Sequence, residues 1–245
     1  MATSSPLAQC TVLKMICDHP RRMSTNACIA AGLIDGHVAI NDGDKCAAND
    51  IDDVDLNVLL SESGKMRVLT NLLDALLPDK ILIFSHSIKI LDIIAKLLAE
   101  NGIRNLRVDG TVIQSARTEK YNLFRDDDTV KVLLMTTGVG SVGLTLTAAT
   151  RVIIYDPSWN PGCDDQAAAR AHRIGQNMPV VVFRLITCET IEEKIYNLQL
   201  FKKSIISQNN GEDDNPERMF SSNDIKSFFI SPKSASHEMF SGKND

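Results

Sequence analysis

Two arginines, Arg170 and Arg173, stand three residues apart in the stretch DDQAAARAHRIGQN, Asp164–Asn177. The stretch is predicted to be a helix, and a spacing of three puts both guanidinium groups on one face, about one turn apart. Two aligned cations repel unless something anionic faces them. A guanidinium is planar, permanently charged and matched to phosphate oxygens. A phosphate-bearing ligand is therefore one reading. Solvation, or pairing with the nearby Asp164 and Asp165, is the other.

Other residues have weaker claims. In MTTGVGSVGLTLT (Met135–Thr147), Gly138, Gly140 and Gly143 allow a backbone to approach an anion, and Thr136 and Thr137 offer hydroxyls. The spacing is neither a dinucleotide fingerprint nor a phosphate loop, so an ordinary loop competes with it. Gly64-Lys65 is not a phosphate loop either. Met66 stands where a magnesium-binding hydroxyl would be needed, and the stretch reads as the start of the helix KMRVLTNLLDALL. DPSWNP (Asp156–Pro161) places the only tryptophan, Trp159, between two prolines, where it can stack on a base or pack a corner. RVDGTV gives a tight turn at Asp109, Gly110 and Thr111, with structural duty as the default. The five histidines are scattered without a carboxylate or nucleophile at a useful spacing, so no acid-base or metal role is assigned.

These residues need elements to position them. KILIFSH, VKVLLMT and RVIIYD are apolar runs suited to buried strands, and IRNLRVDG and PVVVFRLI read as strands as well. IKILDIIAKLLAENG is an amphipathic helix stopped by Asn101-Gly102. SARTEKYNLFR is a helix with Tyr121 and Phe124 inward, and TIEEKIYNLQLFKKSII is a long amphipathic helix. Strand and helix alternate, which predicts an α/β fold with a mainly parallel sheet covered on both faces. In such sheets ligands sit at the carboxyl ends of the strands, where most of the residues above fall.

The chain of 245 residues is 44% hydrophobic, enough for a substantial core. Its net charge of −5 does not announce a nucleic-acid binder. The charge is uneven: residues 1–79 carry 6 basic and 11 acidic side chains, residues 80–206 carry 16 and 13, and residues 207–245 carry 4 and 7. The six cysteines include no C-x-x-C pair, which argues for free thiols in a reducing compartment. No apolar run is long enough to span a bilayer, and the N-terminus lacks the pattern of a signal peptide.

Taken in order, SGKMRVLTNLL, KILIFSHS, RVDGT, TTGVGSVGLTLTAATRVIIYDPSWNP, RAHRIGQ and TIEEKIY resemble the second RecA-like lobe of Swi/Snf-family DNA translocases. CDHPRRMS, VGLTLTAATRV, RLITC and NPERMFSSNDIKSFF carry a finer likeness to the excision-repair-6-like branch. The resemblance implies a RecA-like three-layer lobe over residues 61–189. A helical segment (1–40) and an acidic mobile loop (41–60) precede it. A brace helix (190–206) follows, then a linker and largely disordered tail with one short helix (207–245).

The resemblance also implies roles. ATP with Mg2+ would lie between two lobes, both held mainly by a first lobe. Arg170 and Arg173 would act as fingers on its phosphates, a role suited to positioned cations near developing charge. Gln166, Gly140, Gly143 and Leu144 would belong to the nucleotide-coupled segments. Ser85, Asp109, Gly110, Thr111, Thr136, Thr137 and Trp159 would line the track for the backbone of double-stranded DNA. Partners would be that DNA, the first lobe of the same chain, and proteins at the acidic flanks, in the nucleus and away from membranes. Three positions depart from the family pattern: Ala169 where an acidic residue is usual, Ser141 where glycine is usual, and His86 where glutamine is common. Alternatives are a lobe that binds DNA or a partner without turnover, and a DEAD-box lobe, which HRIGQN disfavours.

Overall fold

Strands rich in Ile, Leu and Val that are apolar on both faces must be covered on both faces, and this sequence does so. The structure is a computed structural model and describes residues 6–23, 29, 54–140 and 146–209. Its five strands are β1 (Ile81–Ser85), β2 (Asn105–Val108), β3 (Val132–Thr136), β4 (Arg151–Ile154) and β5 (Val181–Arg184). They form one all-parallel sheet in the order β2-β3-β1-β4-β5. Every residue of β1 is buried, as expected of a central strand.

The helices are α1 (Pro6–Asp18), α2 (Leu56–Glu62), α3 (Gly64–Leu76), α4 (Ile88–Glu100), α5 (Gln114–Asp126), α6 (Thr137–Gly140), α7 (Pro161–Ala168) and α8 (Ile191–Asn209). Alternation along β1 sorts them. Ile81 and Ile83 face a core shared with Leu59, Met66 and Leu69 of α2–α3 and Ile90, Ile94 and Leu97 of α4. Leu82 and Phe84 face the other core, with Phe124 of α5, Val139 of α6 and Ala167 of α7. The connection after β1 thus runs over one face, and those after its neighbours β3 and β4 run over the other. Divergence of this kind opens a crevice at the carboxyl ends of the strands.

The predicted helix signals hold locally. Ser63 caps α3 by accepting from Met66 N, so Gly64-Lys65 opens a helix rather than a phosphate loop. Ser87 caps α4 by accepting from Ile90 N, and Gly102 adopts a positive φ of 67° just beyond Asn101. One boundary is corrected. Residues 56–60, given above to an acidic loop, lie in α2, because Asp55 caps that helix and Leu59 is fully buried in the core. The rest of that loop from 41 to 53, much of the segment before it, and the tail beyond 209 lie outside the described residues. None of the described helices is long and apolar enough to cross a membrane.

A buried charge network fastens α1 and α8 to the sheet. Lys65 Nζ donates to Asp18 Oδ1 (3.2 Å), to Glu192 Oε1 (2.5 Å) and to the carbonyl of Tyr155 (3.0 Å). Tyr155 Oη donates to the carbonyl of Asp18 (2.8 Å), and Arg22 pairs with the Asp18 carboxylate. Lys14 Nζ donates to the carbonyl of Pro157 (2.5 Å) and lies 3.7 Å from Asp156 Oδ2. The lysine of SGKM is therefore the meeting point of α1, α3, α8 and the end of β4. Burial, with the Asp156 charge adding to it, pushes the Asp18 carboxyl up to about 7 despite Lys65 and Arg22. Burial also opposes charge on Asp156, but Lys14 and His86 outweigh it and hold that carboxyl below the usual range.

Two outcomes follow from the network. Lys65→Met leaves the buried Glu192 carboxylate without its ammonium and Asp18 with Arg22 alone, so unfolding free energy should drop by about 3–5 kcal/mol in urea titrations; a loss under about 1 kcal/mol would mean that Lys65 is not the tie. Asp18 keeps its proton in the folded state to higher pH than in the unfolded chain. Folded molecules then bind more protons between the ordinary carboxylate value and about 7, and stability falls as pH rises through that window. Asp18→Asn should flatten this limb and leave the loss at more acid pH, below the ordinary carboxylate range, where Asp156 protonates. An unchanged slope in the variant would remove Asp18 as its cause.

Candidate nucleotide and nucleic-acid interface

The register of the sheet assembles the candidate residues. Ser85 of β1 pairs with Thr136 of β3, and Val108 of β2 pairs with Met135. Asp109 is thus level with Thr136, and Ser85, Thr136 and Asp109 form a row across three strands spaced by about 4.8 Å. Gly110, Thr111 and Thr137 follow at once.

The members of the row are not equally available. Ser85 is fully buried and accepts from Ser87 N (3.1 Å). Asp109 is 5% exposed and accepts from Thr111 N (2.9 Å), Thr111 Oγ1 (2.5 Å) and Arg107 Nε (2.7 Å). Burial opposes its charge, but these bonds outweigh burial and hold the carboxyl below its ordinary value. Ser85 and Asp109 therefore shape turns, and the turn of Asp109 presents the exposed Gly110 and Thr111. Thr136 is partly buried. Thr137 is buried at the start of α6, and its Oγ1 has no hydrogen-bond partner. Gly140 ends α6, while Gly143 and Leu144 lie outside the described residues.

The arginine segment is corrected in one respect. Arg170 and Arg173 are not on a continuous helix, because α7 stops at Ala168. Its last turn tightens: Arg170 N donates to Ala167 O (3.2 Å) and Ala171 N to Ala168 O (3.2 Å), both three residues back. The chain then turns through Gly175, whose φ of 100° favours glycine. Gln176 Nε2 clasps the carbonyls of Thr147 (2.9 Å), Ala149 (3.0 Å) and Ala171 (3.3 Å). Leu146 N donates to the carbonyl of Arg170 (2.9 Å). R-I-G-Q is therefore a clamped loop. It holds Arg170 half-buried, Arg173 exposed, and Ile174 at 99% exposure on the surface. Gln166 is exposed on α7. Of the two aspartates named above as partners, Asp165 Oδ1 accepts from Arg184 Nη2 (3.0 Å), and Asp164 serves the tryptophan loop.

Trp159 is 42% exposed on the loop after β4. The loop is held from both sides. Asp164 Oδ2 accepts from Ser158 N (3.1 Å), and Asn160 caps α7 by accepting from Gly162 N (3.0 Å). Gln199 Nε2 of α8 donates to the carbonyl of Ser158 (2.5 Å) and to Asp164 Oδ2 (2.8 Å).

Several residues here escaped sequence reasoning. Gln176 and Gln199 do their work through an ordinary side-chain amide, and only the fold shows its partners. His86, read as lacking a carboxylate, has two: its N donates to Asp156 Oδ1 (3.0 Å), and Nε2 lies 3.8 Å from Asp164 Oδ1. Those partners come from the loop after β4 and from α7, at least 70 residues away. Among the described residues no group of three His, Cys, Asp or Glu is gathered for a metal ion, so these residues do not by themselves form a seat for Mg2+. The two guanidiniums suit an anionic phosphate, whereas the Asp109 carboxylate in the row does not.

Residues 64–175 match the helicase conserved C-terminal domain. The chain is 49% identical over 236 residues to the DNA excision repair protein ERCC-6-like of Homo sapiens, covering 94% of this chain and 19% of that protein. It is 40% identical over 243 residues to the SNF2 domain-containing protein ENL1 of Oryza sativa subsp. japonica, covering 94% of this chain and 24% of that protein. Among solved structures, the C-terminal part of the Fun30 ATPase domain superposes with a TM-score of 0.56 at 38% identity, over 58% of this chain and 46% of that one. The chain thus spans less than a quarter of the length of these curated relatives. With the parallel sheet and the R-I-G-Q loop, these likenesses place the chain in the Swi/Snf family as a helicase C-terminal, second RecA-like lobe.

Proposed function

We propose that the chain supplies one half of an ATP-driven motor that moves along double-stranded DNA in the nucleus. The observation that carries this reading is the clamped arginine loop. Gly175 and Gln176 fix a loop that displays Arg173, and a row of hydroxyls and backbone amides lies at the carboxyl ends of β1, β2 and β3. In this reading ATP and Mg2+ sit mainly on a first lobe, and Arg170 and Arg173 approach the phosphates when the lobes close. Cations fixed before reaction stabilise the charge that develops on the transferred phosphoryl group, at no cost in reorganisation. Gly110, Thr111, Thr136 and Trp159 face the DNA backbone, with Ser85, Asp109 and the buried Thr137 behind them. Contacts of this kind do not depend on base sequence. The acidic flanks are candidate sites for protein partners.

The two-lobe reading is tested by ATP turnover with duplex DNA. The chain alone should be inactive, and joining it to a first lobe should restore DNA-stimulated hydrolysis. Equal turnover by the isolated chain would overturn the two-lobe reading. In the joined protein, Arg173→Ala should cut kcat by about 10³-fold, with a small change in KM for ATP. Gln176→Ala removes the clamp but leaves both cations, so it should cut kcat by less. An unchanged kcat in Arg173→Ala would exclude the finger role and leave a lobe that binds DNA or a partner without turnover.

A further inference from the structure

Gln199 has no role in any of the chemistry above, yet it is 1% exposed and its amide nitrogen donates twice across elements. Its Nε2 donates to the carbonyl of Ser158 (2.5 Å) and to the carboxylate of Asp164 (2.8 Å). Ser158 immediately precedes Trp159, and Asp164 lies in the first turn of α7. Two turns earlier on the same helix, Glu192 is fully buried, pairs with Lys65 (2.5 Å) and accepts from Thr187 N (3.0 Å). Residues seven apart share a helix face. Ile195, 1% exposed between them, packs with Ile191 and Cys10 of α1. Helix α8 is therefore fixed to the lobe by a polar contact at each end of one buried apolar patch. The first contact anchors the helix, and the second reaches the tryptophan loop.

The loop depends on this second contact. The carbonyl of Ser158 points inward beside a carboxylate that is itself fully buried. A carbonyl and a carboxylate close together repel unless a donor stands between them, and a neutral amide supplies that donor without a new charge. Ser158 N closes the arrangement by donating to Asp164 (3.1 Å). The amide thus fixes the carbonyl just before Trp159, and with it the direction in which the ring leaves the loop. We infer that Gln199 is a positioning residue: it sets the placement of Trp159 for contact with DNA and ties that placement to the seating of α8. This rests on the DNA reading of Trp159 given above, and the experiment separates the two.

Trp159 is the only tryptophan in the chain, so its fluorescence reports on this loop alone. The probe is a synthetic blunt duplex added to the full chain. Gln199→Met keeps length and apolar bulk but removes the donor. Quenching of Trp159 by acrylamide should rise by about twofold as the ring moves from 42% exposure toward full exposure. Duplex affinity should fall about fivefold or more through lost stacking. Ile195→Ala serves as control: it loosens the same helix without touching the loop, so it should lower Tm and leave quenching as in the wild type. If Gln199→Met does not fold, Gln199→Asn replaces it; this retains the amide but withdraws it by about 1.5 Å, and the same changes are expected.

Quenching and affinity equal to wild type in the Gln199 variant would overturn the inference. So would equal changes in Ile195→Ala, which would mean that the effect comes from a loosened helix. A wild-type signal indifferent to duplex, with quenching still raised in the variant, would support the positioning role and reject the DNA role of Trp159.

Discussion

An ammonium group buried beneath three elements organises this lobe. Lys65 is 7% exposed, and its Nζ meets two carboxylates and a carbonyl contributed by α1, α8 and the end of β4. A charge removed from water is tolerated only when its partners are in place, so the geometry of each partner is constrained by the others. The sheet alone would leave α1 and α8 as loosely attached covers. Lys65 gives them fixed positions instead. Everything built on α8, including the contact of Gln199 with the tryptophan loop, inherits its placement from this charge. Apolar packing of Ile191 and Ile195 against Cys10 would allow sliding, but a polar contact with defined directions does not.

The fold was legible in the sequence because its signals are local. Runs such as ILIF and VLLM are apolar at consecutive positions, which fits strands covered on both faces. Ser63 and Ser87 mark helix starts, and Asn101-Gly102 marks an end, through backbone bonds that span at most four residues. Two local signals misled. The acidic composition before Leu56 hid a short helix whose stability comes from Leu59 in the core. The alanines of DDQAAARAHRIGQN favour helix throughout, yet the helix stops at Ala168. What stops it is tertiary: the carbonyl of Arg170 accepts from Leu146 N, and the amide of Gln176 holds the carbonyl of Ala171.

The candidate site was legible only as a set of segments. The register of β1, β2 and β3 brings Ser85, Thr136 and Asp109 to one edge. The division of labour within the row was not visible. Ser85 and Asp109 carry the polar groups that drew attention, and the fold uses both to hold backbone in place. The roles of Lys65, Gln176, Gln199 and the carboxylates beside His86 could not be read from the sequence, because each has partners 27 to 127 residues away. Contacts at that range are set by which strands lie side by side, not by periodicity or spacing.

Helix α7 joins the two ends of the site. It has eight residues, about 12 Å at 1.5 Å per residue. Its first turn contains Asp164, which holds the tryptophan loop and receives Gln199. Its last turn leads directly into Arg170. Ala167 seats the helix in the core that also holds Phe84 and Val152. The Ser158–Trp159 loop and the arginine loop are therefore joined by one short helix. The clamp of Gln176 holds the far end, and Gln199 holds the near end. Under the proposed two-lobe reading, α7 is the element that joins the segment read as facing DNA to the segment read as facing the nucleotide, without a long chain of intermediates.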